Sequence, residues 1–198
     1  MHNRSWTYAA AALLLTVTAA LTPACEGGSA ESEAPAALPF TPTATIKDLM
    51  LGLVDTNADV VWLAVTAVHT EQGVEETKPQ NEEEWNKVRL GAVALAEASN
   101  LLLIPGRRVA RPGEKSEAPG VELEPEEMDK LIADNRNEWT RRAVALNEAA
   151  TAALRAIDAR DPEKLFELGE QIELACEGCH TEFWYPNEEI PPVEINIK

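Results

Sequence analysis

The sequence predicts an all-α protein that folds as an antiparallel up-down-up-down four-helix bundle. Apolar residues recur at helical spacing in four stretches between residues 46 and 186. Proline, glycine and capping residues mark the boundaries of these stretches, and no stretch has the alternating pattern of a convincing strand. Two short connections make the first pair and the last pair of helices antiparallel neighbours, and one longer connection joins the two pairs.

The first helix is expected to run from Ile46 to Gly73. Its apolar face is interrupted only by Asn57, and glycine is typical of the position just after a helix. The apolar residues that share this face are Ile46, Leu49, Met50, Leu53, Val60, Val61, Ala64 and Val68.

The second helix is expected to follow Asn81, which can cap it while Glu84 returns a hydrogen bond. Trp85 begins its apolar face, and Pro105-Gly106 ends the helix. Residues 105–123 then form a long surface loop that carries a basic cluster, and solvated loop charge is the favoured interpretation of this cluster. The cluster consists of Arg107, Arg108 and Arg111.

The third helix is expected to run from Pro125 to Arg160, because a proline followed by acidic residues favours a helix start. Asp161-Pro162 ends this helix and begins the fourth, which stops before Pro186. The third helix is longer than its partners, so a bend near Asn135 and an overhang beyond the bundle are both open.

A five-residue stretch in the fourth helix, Cys176-Glu177-Gly178-Cys179-His180, carries the strongest chemical signal in the chain. C-x-x-C-H is the attachment signature of a c-type haem. On a helix the two thiols and the imidazole share one face, so the thiols can form thioethers with haem while His180 ligates iron as the proximal ligand. A disulfide and half of a zinc site are the alternatives, but tetrahedral zinc needs four ligands. The remaining candidates, Cys25, His2 and His69, are far away in sequence.

Met50 is the residue predicted to face the other side of the iron. In an antiparallel bundle the start of the first helix lies beside the end of the fourth, and Met50 and His180 fall at matching depth. On the same count His69 lies about 28 Å further along the first helix, and Met128 lies about 20 Å beyond the iron. Met128 is therefore interpreted as core filler, and packing is the alternative role for Met50.

Residues 1–24 are predicted to be an export signal and residues 25–44 a flexible tether. Arg4 precedes an uncharged, mostly apolar run that ends in small residues before Cys25. This stretch resembles a bacterial lipoprotein signal, in which the cysteine after the cut is acylated, although Thr22 stands where such signals usually have leucine. Lipidation of Cys25 and cleavage to a soluble periplasmic protein are the two alternatives. Residues 45–186 form the helical domain, and residues 187–198 an extended tail.

The formal net charge of -17 excludes nucleic-acid binding by charge. It favours partners with basic surfaces, while plain solubility is the alternative explanation. Of the three cysteines, two are assigned to haem and one to lipid, which leaves no free thiol in an oxidising compartment.

The chain resembles the class II c-type cytochromes, which comprise the cytochrome c-prime family and its low-spin four-helix relatives. The resemblance covers Ile46 to Pro186 and depends on the motif from Cys176 to His180 at the end of the last of four helices. In low-spin relatives a methionine early in the first helix is the sixth iron ligand, as Met50 is placed here. In cytochrome c-prime proper that position is vacant and binds small gases. Four residues after the proximal histidine, where the family often has a basic residue, this chain has Trp184.

The resemblance implies a periplasmic electron-transfer protein of a Gram-negative bacterium, with one covalent haem c and no catalytic residues. Redox proteins are its expected partners, the membrane is reached only through a lipid on Cys25, and relatives often dimerise through the first helix. One alternative is a five-coordinate binder of nitric oxide or carbon monoxide. Another is a haem-bearing accessory lipoprotein of an envelope or respiratory complex.

Overall fold

The computed structural model describes residues 40–187, which are mostly helical, as predicted. The predicted export signal, Cys25 and the tail that follows residue 187 lie outside the described residues. Among the described residues, no helix has the length and the apolar character needed to cross a membrane. The elements are α1 (Ile46–Leu49), a π-helical segment (Met50–Val54), α2 (Asp55–Trp62), β1 (Thr66–Thr70), β2 (Gly73–Thr77), α3 (Glu82–Leu101), α4 (Pro125–Asp134), α5 (Arg136–Asp158) and α6 (Pro162–Phe183).

The first helix ends at Trp62, so the prediction that it continues to Gly73 is wrong. A hairpin follows, in which β1 pairs antiparallel with β2. Val68 was assigned to the inward helical face, yet it lies on β1 and is 54% exposed. Gly73 does not end a helix; it adopts a φ of +131° at the hairpin turn, a conformation that favours glycine.

The starts of α3 and α6 were predicted correctly, the first from its cap Asn81 and the second from the Asp161-Pro162 boundary. The side chain of Asn81 accepts a hydrogen bond from the backbone N–H of Glu84 at 3.0 Å. The Glu84 carboxylate in turn accepts from the backbone N–H of Gln80 at 2.7 Å. At the start of α6, Asp161 accepts from the N–H of Lys164 at 2.9 Å. Each cap satisfies backbone donors that the first helical turn leaves unpaired.

The long third helix is divided at Asn135 into α4 and α5. Asn135 leaves helical geometry, with φ -119° and ψ 40°, and its side chain donates a hydrogen bond to the carbonyl of Leu131 at 3.0 Å. Asparagine competes with the helix for backbone partners, which explains a break at this residue. Of the two open interpretations, a bend near Asn135 is therefore the one observed, and it redirects α4.

Helices α2, α3, α5 and α6 pack side by side around a common apolar core. Trp62 on α2 donates its indole N–H to the carbonyl of Gly169 on α6 at 3.0 Å. Gly91 on α3 allows α2 to approach closely, because a Cβ there would lie 2.8 Å from Val60. The fully buried centre of this core contains Ala92, Leu95, Ala150, Ala153, Ile157 and Ile172.

Candidate functional site

The three residues of the predicted haem motif lie in the last two turns of α6. Cys176, Cys179 and His180 are all half-buried, and both thiols are free. Cys176 packs against the main core, whereas Cys179 packs against a second apolar cluster around the opposite end of the helices. A disulfide between the two cysteines, one of the alternatives for this motif, is therefore not formed.

A cavity of about 230 Å³ lies beside the motif. Cys179 and His180 line it from α6, Met50 lines it from the start of the π-helical segment, and the long loop closes another side. The structure thus brings Met50 to the cavity that His180 faces. The apolar residues of the wall include Ile46, Leu51, Val109, Ala110, Ile132, Trp139 and Phe183.

Met50 stands where the regular α-helix changes to a π-helix. Its backbone N–H donates to the carbonyls of Ile46 and Lys47, and its carbonyl accepts from the N–H of Asp55, five residues later. Segments of π-helix often occur at functional sites, because the wider turn changes the direction of side chains. The helical spacing in the sequence gave no sign of this segment.

Met128 also lines the cavity, so the prediction that it lies about 20 Å beyond the iron is wrong. It does pack against the second apolar cluster, as its interpretation as a core residue implies. That distance assumed one continuous helix from Pro125 to Arg160. The break at Asn135 turns α4 and brings Met128 to the cavity wall. A signal was present in the sequence, since Asn135 interrupts an otherwise apolar face.

His69 lies on the exposed face of the hairpin and does not line the cavity. His69 was also expected to lie away from the iron, but on a helix that in fact ends before it. The hairpin pairs His69 with Val74, so its position is set by strand register.

The basic cluster of the loop makes specific contacts in addition to facing solvent. Arg108 pairs with Asp129 of α4 at 2.5 Å, and Arg111 pairs with Asp48 of α1 at 2.5 Å. Both arginine side chains remain about two-thirds exposed, at 66% and 68%. Arg107 donates to the carbonyl of Leu101 at 3.1 Å. These contacts fasten the loop to the two helices that flank the cavity.

Two aromatic rings form a rigid wall of the cavity. Trp139 and Phe183 meet edge to face, with ring centroids 5.3 Å apart. The indole N–H of Trp139 donates to the carbonyl of Leu102 at 3.0 Å. Phe183 is the last residue of α6, so this ring contact packs the helix that carries the motif against the start of α5.

The imidazole of His180 lies beside Trp184, with ring centroids 4.9 Å apart and the rings nearly perpendicular. Burial lowers the pKa of His180, an effect that the nearby Asp55 carboxylate opposes. A lowered pKa favours the neutral imidazole, which is the form that binds metals.

Gly178 leaves room for a contact between α5 and α6 that the sequence pattern did not predict. A Cβ at this position would lie 2.7 Å from the guanidinium of Arg142 on α5. Arg142 passes this point and pairs with Glu182 at 2.9 Å and with Glu138 at 3.0 Å. The glycine inside the motif therefore allows α5 and α6 to be joined by an ion pair.

Burial raises the pKa of the Cys176 thiol to about 11 and that of the Cys179 thiol to about 12. Nearby acidic groups such as Glu173 add to the effect at Cys176. Thiolates are the reactive form of cysteine, so the folded chain protects both thiols.

In the pH range between the ordinary thiol pKa of about 8.5 and these raised values, the unfolded chain loses protons that the folded chain keeps. The stability of the haem-free fold should therefore fall as the pH rises through this range.

In the haem-free Cys25→Ser variant, we expect Cys176 and Cys179 to be alkylated roughly tenfold or more slowly in buffer at mildly alkaline pH than in urea. Timed alkylation followed by mass spectrometry measures both rates. A short peptide that contains the motif serves as the control for intrinsic reactivity. Equal rates in buffer and in urea would show that the thiols are not protected by the fold.

Among residues 40–187, no group of three or more histidine, cysteine, aspartate and glutamate side chains is arranged to hold a bare metal ion. In comparisons with known proteins, no family model matches the chain, and no curated protein or solved structure shows significant similarity to it.

Proposed function

We propose that the chain is an electron-transfer c-type cytochrome that carries one covalently attached haem. The observation that supports this proposal most strongly is the meeting of Cys179, His180 and Met50 at one largely apolar cavity. Met50 and His180 are 130 positions apart in the sequence, so no local pattern requires them to meet. The motif suggests the cofactor, and the cavity offers a place for it.

The residues present fit a haem by their chemistry. Cys176 and Cys179 would hold it, each thiol adding across a vinyl double bond so that sulfur binds one carbon and the hydrogen goes to the other. This addition consumes no oxidant. His180 would be the proximal iron ligand and Met50 the distal ligand. When bound, haem supplies an iron atom that accepts and returns one electron.

The cavity walls suit electron transfer better than catalysis. Apolar side chains such as Ile132 and the ring pair of Trp139 and Phe183 form much of the cavity wall. With Met50 and His180 on opposite sides, no iron position would be left for a substrate, so we propose no enzymatic turnover. A methionine ligand tends to raise the reduction potential, and low polarity around a cofactor also tunes it.

The lining of the cavity also carries charges of both signs. Lys47 lies there and pairs with Glu117 at 2.8 Å, and Lys115 lies 3.6 Å from Glu124. These lysines are the candidate partners for haem propionates, because they line the cavity and the arginines of the Arg107 to Arg111 cluster do not. Trp184, 38% exposed and in contact with His180, lies where a redox partner would come close to the cofactor.

The antiparallel up-down-up-down bundle is part of the proposal, and individual contacts support it. Arg89, early in α3, pairs with Asp158 at the end of α5 at 2.8 Å. The indole N–H of Trp139, early in α5, donates a hydrogen bond to the carbonyl of Leu102, just after α3. These contacts pair the start of each helix with the end of the other, as expected for helices that run in opposite directions.

We further propose that the protein is exported to the periplasm of a Gram-negative bacterium and anchored there by a lipid on Cys25. The formal net charge of -17 favours redox partners with basic docking surfaces and disfavours nucleic acid. The chain would reach the membrane only through the lipid, and a homodimer is the proposed oligomer.

The mature protein, expressed together with the c-type maturation machinery, is expected to have the mass of the chain from Cys25 plus one haem and the acyl groups. Its ferric form is expected to be low-spin and to be reduced reversibly. A mass without haem would contradict the cytochrome assignment, and a mass without acyl groups would contradict lipidation alone. A high-spin ferric form would instead favour the five-coordinate gas-binding alternative.

A further inference from the structure

Both methionines of the described residues line the same cavity. Met50 reaches it from the π-helical segment and Met128 from α4, and each is half-buried. Methionines usually fill irregular gaps in a core, and Met50 packs at the edge of both apolar clusters while Met128 packs at the edge of the second. The cavity beside His180 therefore has two thioethers in its lining.

The start of α4 is held next to the end of α6 by the backbone. The N–H of Leu123, just before α4, donates to the carbonyl of Trp184 at 2.8 Å. The N–H of Trp184 donates in turn to the carbonyl of His180 at 2.8 Å. Two hydrogen bonds thus connect the backbone of His180 to the segment that leads into Met128.

A second set of contacts fixes the side of α4 that faces the loop. Asp129, the neighbour of Met128, accepts a hydrogen bond from the backbone N–H of Val109 at 2.9 Å and pairs with Arg108. Ile132, one turn further along α4, is buried in the same cluster as Cys179. These contacts hold the first turns of α4 against the cavity, and Met128 extends from them on an unbranched side chain with three rotatable bonds.

We propose that Met128 is a second distal ligand, which binds the haem iron when Met50 is replaced. This inference rests on the proposed haem function. A thioether is neutral, so either methionine can pair with the imidazole of His180 without placing a new charge in the cavity. Lys47 lines the cavity as well, but its ammonium group is paired with Glu117 and has no lone pair to offer iron.

The test uses the haem-loaded protein and three variants: Met50→Leu, Met128→Leu and the double replacement. Leucine is similar to methionine in volume, so the cavity wall is retained. The chain has three methionines, and the first lies in the predicted export signal. Labelling with methyl-¹³C-methionine therefore gives two signals in the mature ferrous protein, and a methionine bound to haem iron shows a strongly shifted methyl resonance.

We expect the wild type and both single variants to be low-spin in the ferric state, each with one shifted methyl signal in the ferrous state. The double variant is expected to lose the low-spin form and the shifted signal completely. A Met50→Leu variant as high-spin as the double variant would overturn the role of Met128. A double variant that stays low-spin would also overturn it, because another group would then be the ligand.

The wild type separates this inference from the proposed function. If the wild type lacks haem, the proposed function fails. If it carries haem with a shifted methyl signal and Met50→Leu alone removes that signal, the function stands and only the second ligand is refuted. Intact masses of all four proteins, measured on the same samples, show whether any variant has simply failed to attach haem.

Discussion

Replacing both Cys176 and Cys179 with alanine is expected to abolish covalent haem attachment. Each thioether requires one of these sulfurs, and the described part of the chain contains no other cysteine. Denaturing electrophoresis with haem staining, together with the intact mass, measures the covalently bound fraction. The expected change is from one haem per chain to none.

Two variants serve as controls for this prediction. Cys25→Ser lies outside the motif and should keep full haem attachment while losing the lipid. His180→Ala keeps both sulfurs, so any haem that it retains is covalent but lacks its proximal ligand. If the double cysteine variant still carries haem through denaturation, the motif is not the attachment site and the cytochrome proposal fails.

Replacing Leu95 with alanine is expected to lower the free energy of unfolding by about 2–5 kcal/mol. Leu95 is 0% exposed at the centre of the main core, so the substitution leaves a cavity between packed helices. Denaturant unfolding of the haem-loaded protein, followed by circular dichroism, measures the change. Leu95 does not line the cavity beside His180, so the haem spectrum should be unaffected.

Leu90→Ala is the matched control, because it makes the same substitution five residues earlier on the same helix. Leu90 is 57% exposed, and its truncation should change the free energy of unfolding by no more than about 0.5 kcal/mol. Equal losses of stability for the two variants would mean that α3 does not bury the face on which Leu95 lies.

The features that were predicted correctly are those that short stretches of sequence determine. Asn81 and Asp161 mark helix starts because a cap needs only its own side chain and the next three residues. The spacing of Cys176, Cys179 and His180 on one helix is equally local. Met50 was expected at the depth of His180 from a count that used only the start of the first helix and the end of the fourth. The structure has these at Ile46 and Phe183, close to their predicted positions.

The errors arose where two local structures fit the same residues. Val68 continues the helical spacing, but it also lies in a run of threonine and valine that suits a strand. A bend near Asn135 was one of two open interpretations, because the spacing of apolar residues continues across Asn135 and does not show how α4 packs against α5 and α6. Met128 was misplaced for this reason alone, since its distance was counted through that break.

The ion pairs that attach the loop to its neighbouring helices depend on the salt concentration of the surroundings. Arg108–Asp129, Arg111–Asp48 and Lys47–Glu117 join the loop to α4 and α1, and at least one member of each pair is well exposed to solvent. Exposed ion pairs are screened by dissolved salt, with a Debye length of about 10 Å at 0.1 M ionic strength. The same loop is also held to α1 by backbone hydrogen bonds, from the N–H groups of Ile46 and Lys47 to the carbonyls of Arg108 and Val109 at 2.9 Å. Salt does not screen these bonds in the same way, so the loop should stay attached to α1 as the ionic strength of the surroundings rises.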